Sequence, residues 1–245
     1  MNKINKYIST LKHLNFEYWE TKNPFYSEVA LNKSAKGIIT LLHNKGYLQN
    51  FKPNSNSDFI IAIDKEISNF NIKDTNFNSL ALTFDLIQAW GGQSGRMPYN
   101  LKSGRENFDI WKNIYLEGVI NAVKDNVLIA LKNWTFIDGL GPSFAPKHLY
   151  FWSKKKYPIL DTRISLILTG DTKLLGNIKK YNDFIFLIRI LADKCNKTLT
   201  ETEKALFAFS KNFFPNSNLN LNKTLEDFTD FEIAKEISNL YLEKI

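Results

Sequence analysis

Residues that build metal centres and disulfide frameworks are scarce in this chain. Cys195 is the only cysteine among 245 residues, which excludes an internal disulfide and a multi-cysteine metal site. It lies in LADKCNKT, a pattern typical of a helix end rather than of a nucleophile's pocket. The three histidines, His13, His43 and His148, are far apart and lack metal-ligand spacing. We therefore expect a chemistry that uses no metal and no other cofactor.

Long apolar segments are also missing. No apolar run approaches the ~20 residues that a membrane-spanning helix needs, so we expect no membrane partner. The first residues, MNKINKYISTLKHLNF, are polar and contain no apolar core of a signal peptide. These features predict a cytoplasmic protein.

Positive charge is in excess. The chain has 32 Lys and Arg against 25 Asp and Glu, a formal charge of +7. Such an excess favours polyanionic partners, of which nucleic acid is the commonest, although many proteins are basic only for solubility. The hydrophobic content of 44% is enough for one sizeable core or for two fused small ones.

Helical periodicity dominates the sequence and predicts an all-α fold. A first helix begins at Ser34 as its cap and ends at Gly46, and a short strand over Tyr47 to Phe51 is an alternative reading of the next residues. Three glycines and a proline predict a loop at residues 91–98, and asparagines predict another at 216–222. The further predicted helices cover about residues 58–70, 79–90, 108–123, 127–134, 145–153, 161–168, 181–194, 200–213 and 229–243.

The most informative segment is residues 125–168, DNVLIALKNWTFIDGLGPSFAPKHLYFWSKKKYPILDTRISLIL. It predicts an apolar helix, a tight turn around Gly139 and Gly141, and a second apolar helix. Glycines at i and i+2 allow positive φ and expose backbone N–H groups. Because these groups lie beside a helix N-terminus, the turn suits a phosphate.

The pattern G-L-G-P-S, an apolar helix and then P-I-L-D-T-R resembles the helix-hairpin-helix DNA glycosylase superfamily. The segment S-F-A-P-K-H-L-Y-F is most similar to bacterial proteins described as having an 8-oxoguanine DNA glycosylase fold. Some of these proteins are linked to defence against phages with modified bases. The resemblance covers residues 125–170 and extends to 215. It implies an all-α helix-hairpin-helix glycosylase array, double-stranded DNA as the partner, and Asp161 as the catalytic aspartate. Arg163 stands where the relatives have histidine.

An aspartate suits this chemistry. Cleavage of an N-glycosidic bond builds positive charge on the sugar, which a carboxylate stabilises. Asp161 could also deprotonate an attacking amine or water. Bifunctional members of the superfamily add a lysine that attacks C1′ and forms a Schiff base.

The position of that lysine departs from the family pattern. Counted without gaps from G-x-G, it falls on Ser143, which implies a water-using, monofunctional enzyme. Lys147 lies four residues on, so it occupies the same helix face one turn later. We favour Lys147 as the catalytic lysine and keep Ser143 as a DNA contact.

The segment ETEKALFAFSKNFF, residues 201–214, resembles the late helix that lines the base pocket in 8-oxoguanine glycosylases. The resemblance implies that Phe207 stacks on the extruded base and that Glu203 reads its edge, since glutamate accepts hydrogen bonds only. An ordinary amphipathic helix with Leu206, Phe207 and Phe209 in the core is the alternative.

Other DNA contacts are predicted on both sides of the hairpin. Gln93 and Arg96, on the glycine-rich loop, suit a wedge that fills the gap left by the extruded base. Lys154, Lys155 and Lys156 precede Asp161 where phosphates are expected to pass, although a solvated charge run is the alternative for each of them.

The sequence as a whole therefore predicts one helical unit, 1–245, with an N-terminal part (1–124), the hairpin and aspartate (125–170) and C-terminal helices (171–245). Its predicted activity is excision of a modified or damaged base, in base excision repair or anti-phage defence. A catalytically inactive protein that senses modified DNA is the main alternative. A helical protein-interaction module is a third, but it leaves residues 139–161 unexplained.

Overall fold

The computed structural model of the chain describes residues 3–71, 77–92, 107–214 and 228–243. Within these ranges every regular element is a helix and no strand is present. The prediction of an all-α protein is therefore confirmed. None of the described helices is long and apolar enough to cross a membrane.

Two helices in the first 21 residues were not predicted, and the other helices differ little from those predicted. In chain order the described α-helices are α1 (Lys3–Leu11), α2 (Phe16–Thr21), α3 (Lys33–Asn44), α4 (Asn56–Asn69), α5 (Phe77–Trp90), α6 (Phe108–Val123), α7 (Val127–Thr135), α8 (Ala145–Trp152), α9 (Thr162–Thr169), α10 (Tyr181–Cys195), α11 (Leu199–Phe213) and α12 (Phe228–Leu242). Short 3-10 turns occur at Pro24–Tyr26, Lys173–Gly176 and Ile178–Lys180.

The start of α3 corrects one prediction. Asn32, not Ser34, is the N-cap, because its side-chain oxygen accepts a hydrogen bond from the Ser34 N–H at 2.9 Å. Gly46 follows the helix with a φ of +83°, as expected of a stop signal. The strand considered over Tyr47 to Phe51 is wrong, since these residues form turns.

The chain divides into two compact units. The terminal unit comprises Met1–Asn23 and Pro158–Ile245, and the middle unit comprises Pro24–Tyr157. The boundary falls inside the segment 125–170 that carries the resemblance. The three-part organisation within a single unit 1–245 stays a prediction.

The middle unit is built around α8. All eight residues of this helix are buried, and the helix packs against α4, α5, α6 and α7. In the same unit, Gly118 lets α6 pack closely on α7, because a Cβ there would lie 2.2 Å from Nε1 of Trp134 on α7. The helix that carries Lys147 is thus the central element of its unit.

In the terminal unit, α11 packs against α2, α9 and α10, while α1 packs against α9, α10 and α12. Trp19 of α2 lies edge-on to Phe209 and Phe213 of α11, and its Nε1 donates to Asp230 at 2.6 Å. The helix that carries Asp161 at its start, α9, therefore packs directly against the predicted base-pocket helix, α11.

Candidate functional site

The predicted hairpin is present between α7 and α8, which contact each other. The turn is anchored by Leu140, whose side chain is fully buried. Gly139 has a φ of +88°, as expected of a tight turn. Gly141 does not have a positive φ, so the expectation of two left-handed glycines is wrong for the second. A Cβ at Gly141 would meet no atom within 4 Å, so the fold itself does not require glycine there.

Three backbone N–H groups of the turn are not used in backbone hydrogen bonds of the described residues. Within the described part of the chain, Gly139, Gly141 and Ser143 donate no hydrogen bond to a backbone carbonyl. The carbonyl of Gly141, by contrast, accepts from Phe144 and Ala145 at 2.9 and 3.0 Å, which closes the first turn of α8. Amide donors beside a helix N-terminus are the arrangement that binds phosphate.

Lys147 reaches back along α8 to this turn. Its Nζ donates to the Ser143 carbonyl at 3.0 Å and lies 4.4 Å from the centre of the Phe144 ring. The side chain is only 7% exposed. The amine of Lys147 therefore lies beside residue 143. The family pattern, counted without gaps, places its lysine at residue 143.

The predicted wedge loop begins against the same lysine. A Cβ at Gly91 would lie 2.6 Å from the Phe144 ring and 2.9 Å from Cδ of Lys147, so only glycine fits there. Gln93 and Arg96 lie outside the described residues. The loop predicted at 216–222 does so too.

His148, next to Lys147, belongs to a buried polar network that anchors α8. Nε1 of Trp152 donates to Oη of Tyr115 at 3.0 Å, and this hydroxyl lies 2.7 Å from Nδ1 of His148. The side-chain amide of Gln88 lies 2.8 Å from Nε2. Burial, with a smaller contribution from the Lys147 charge, lowers the pKa of His148 to about 3. The ring is therefore neutral and structural.

Two of the three lysines that follow α8 are held by carboxylates. Nζ of Lys155 lies 2.5 Å from Asp64, and Nζ of Lys156 lies 2.6 Å from Asp125. Lys154 is exposed and forms no salt bridge with the described residues, so it is the best placed of the three for a phosphate.

Asp161 is the N-cap of α9. Its Oδ1 accepts a hydrogen bond from the Ile164 N–H at 2.9 Å, and the residue has extended backbone geometry. The cap explains the presence of an oxygen-bearing side chain at this position. It does not require a negative charge, because asparagine caps helices equally well.

Arg163 lies against the end of α11. Its Nη1 donates to the Phe214 carbonyl at 3.0 Å, and its own carbonyl accepts from Ser210 at 3.4 Å. Glu203 and Phe207 lie earlier on α11 and are 3% and 8% exposed, respectively. Both side chains are thus interior, and the amphipathic-helix alternative accounts for Phe207, whereas a buried glutamate is not expected of an apolar helix face.

The predicted site residues are divided between the two units. The middle unit holds Gly139, Gly141, Ser143 and Lys147 together at the hairpin. The terminal unit holds Asp161 and Arg163 against α11.

No known relative identifies the chain. No family model, curated protein or solved structure matches it. Among the described residues, no group of three or more His, Cys, Asp and Glu side chains is placed to hold a metal ion.

Sequence reasoning missed Lys211 on α11. Glu203, Phe207 and Lys211 are spaced four residues apart, so they lie along one face of the helix, and this spacing was the available signal.

Proposed function

We propose that the protein is a DNA glycosylase that binds duplex DNA through the turn between α7 and α8 and excises a modified or damaged base. The observation that carries the proposal is the position of Lys147. A lysine on the first turns of a central, fully buried helix places its amine at the Ser143 carbonyl, beside backbone amides that suit a phosphate.

In the proposed reaction the Lys147 amine, in its unprotonated form, attacks C1′ of the extruded nucleotide. A C–N bond forms as the N-glycosidic bond breaks, and the base leaves with the bonding electron pair and takes up a proton. The reaction also needs a carboxylate that stabilises the positive charge developing on the sugar and accepts the proton of the attacking amine, and the resemblance implies that Asp161 has this role. The resulting amine adduct opens to the Schiff base from which strand cleavage proceeds.

A catalytically inactive DNA-binding protein is the second candidate. It is favoured by one observation, the role of Asp161 as the cap of α9. A capping aspartate needs no further function to explain its presence. The two candidates differ in whether the charge of Asp161 matters.

The test is excision from a panel of duplexes that carry oxidised, alkylated or phage-type modified bases, scored as abasic sites with and without alkali. Asp161→Asn keeps a capping oxygen but removes the charge, so we expect loss of at least ~100-fold in excision rate with duplex affinity unchanged within a few-fold. Asp161→Ala is the control for loss of the cap, which should cost about 1 kcal/mol of stability. Full excision by Asp161→Asn would contradict the catalytic assignment.

A further inference from the structure

A second pair of cations in the terminal unit is unexplained by the fold. Lys211 lies on the last turns of α11, and Arg163 lies on the first turn of α9. Neither forms a salt bridge with a carboxylate of the described residues. Lys155 and Lys156, by contrast, each form a salt bridge with an aspartate.

Arg163, on α9, contacts the part of α11 that carries Lys211. Arg163 is held there by the Phe214 carbonyl and the Ser210 hydroxyl. Successive residues of a helix are 100° apart, so Phe207, Ser210 and Lys211 fall within about 100° of one another. Glu203, the acidic residue on this face, is eight residues or about 12 Å along the axis from Lys211, too far to neutralise it.

The Arg163 charge is also close enough to affect the pKa of Lys211. Partial burial, followed by the Arg163 charge, lowers the pKa of Lys211. Two like charges held close together repel each other, and this repulsion is reduced when an anion binds between them. A phosphate is well suited to this role because Arg and Lys both bind it, the first through a planar fork and the second as a point charge.

We propose that Lys211 and Arg163 form a phosphate subsite for the DNA backbone at the start of α9, next to Asp161. This inference rests on the proposed DNA-binding function and adds Lys211 as a positioning residue for the nucleotide. Through Lys211, the helix α11, which also carries Phe207, would contact the DNA backbone.

The experiment is lysine acetylation footprinting of the full chain, read by mass spectrometry, with an unmodified duplex, with inorganic phosphate, and with chloride at equal ionic strength. We expect the duplex to reduce acetylation of Lys211 several-fold and phosphate to reduce it more than chloride does. Lys235, an exposed lysine of the same unit, is the internal control and should change little. Equal acetylation of Lys211 under all three conditions would overturn the subsite.

Substitutions give the matched affinity measurement. Lys211→Gln should weaken duplex binding about five- to tenfold near 0.1 M salt and reduce the log–log salt slope by about 1, whereas Lys211→Arg and Lys235→Gln should leave both unchanged. An affinity and slope for Lys211→Gln equal to those of Lys235→Gln would contradict the proposal. Neither measurement uses base excision, so failure of the glycosylase activity and failure of the phosphate subsite are distinguishable.

Discussion

The two glycines of the hairpin differ in whether the fold itself requires glycine. Gly139 is required by its positive φ, whereas Gly141 has neither a positive φ nor a crowded Cβ position. If the turn binds a DNA backbone, glycine at 141 is explained by close approach of the phosphate rather than by the chain itself.

Alanine substitutions test this separation. Gly139→Ala should lower the free energy of unfolding by about 1 kcal/mol and weaken duplex binding, because alanine is strained at this φ. Gly141→Ala should leave stability unchanged or slightly raised and still weaken binding several-fold, measured by fluorescence anisotropy. If Gly141→Ala binds duplex as well as the natural chain does, phosphate does not approach this turn closely.

Some site residues could be predicted from the sequence, but their contacts could not. Asp161 and Lys147 are identifiable from motif spacing, and the structure gives each a defined local partner. Their full environments could not be predicted, because the cap at Ile164 and the contact with the Ser143 carbonyl depend on backbone geometry. Lys211 was missed because its neighbour Arg163 is 48 positions away in the sequence.

At the level of helices, hydrophobic periodicity predicted nearly all of the long elements. The bounds of α6 were predicted to the residue, Phe108–Val123. The helix α1 was missed although Ile4, Ile8 and Leu11 have helical spacing, since its other residues, apart from Tyr7, are polar. The helix α2 has only six residues, too few for a periodic pattern to emerge.

The polar network of α8 could not have been predicted, since its members come from separate helices. Gln88, Tyr115 and His148 are all fully buried and meet in the interior of the middle unit. Their hydrogen bonds fix the rotation of α8 about its axis and so the direction in which Lys147 leaves the helix.

This network predicts a pH dependence of stability. The pKa of His148 in the folded chain, about 3, is below its unfolded value of about 6.5, so the folded state binds fewer protons. The stabilisation is complete above pH 6.5 and is lost as the pH falls towards 3, by about 2 kcal/mol between pH 7 and pH 5.

Urea unfolding of the His148→Gln variant checks this prediction. The variant is expected to be less stable at pH 7 but to lose about 2 kcal/mol less than the natural chain does between pH 7 and pH 5. His13→Gln, at an exposed position, is the control and should retain the natural dependence. The assignment of a neutral buried His148 is wrong if both variants respond to pH in the same way.

For the chain as a whole, the charge of +7 and the hairpin predict binding driven by phosphates. If ~4 to 6 phosphates are contacted, the log–log salt slope of duplex affinity should be roughly −4 to −5. Titration of one duplex over a range of salt concentrations measures it. An affinity independent of salt, or no binding at low salt, would favour the protein-interaction module over both DNA-binding candidates.

The glycosylase proposal depends most on Lys147 as a nucleophile, and this is testable without knowledge of the excised base. A duplex with a preformed abasic site presents the sugar aldehyde, so the nucleophilic amine forms a Schiff base that borohydride reduces to a stable amine. We predict a covalent protein–DNA adduct that peptide mapping assigns to Lys147.

Lys147→Met, which retains the length of the side chain, should abolish the adduct, while Lys132→Met on the exposed face of α7 should not affect it. Absence of the adduct in the natural chain would exclude Lys147 as the nucleophile and favour water activated by Asp161. An adduct that forms equally well in Lys147→Met would show that another lysine is the nucleophile, and it would contradict the proposed role of Lys147.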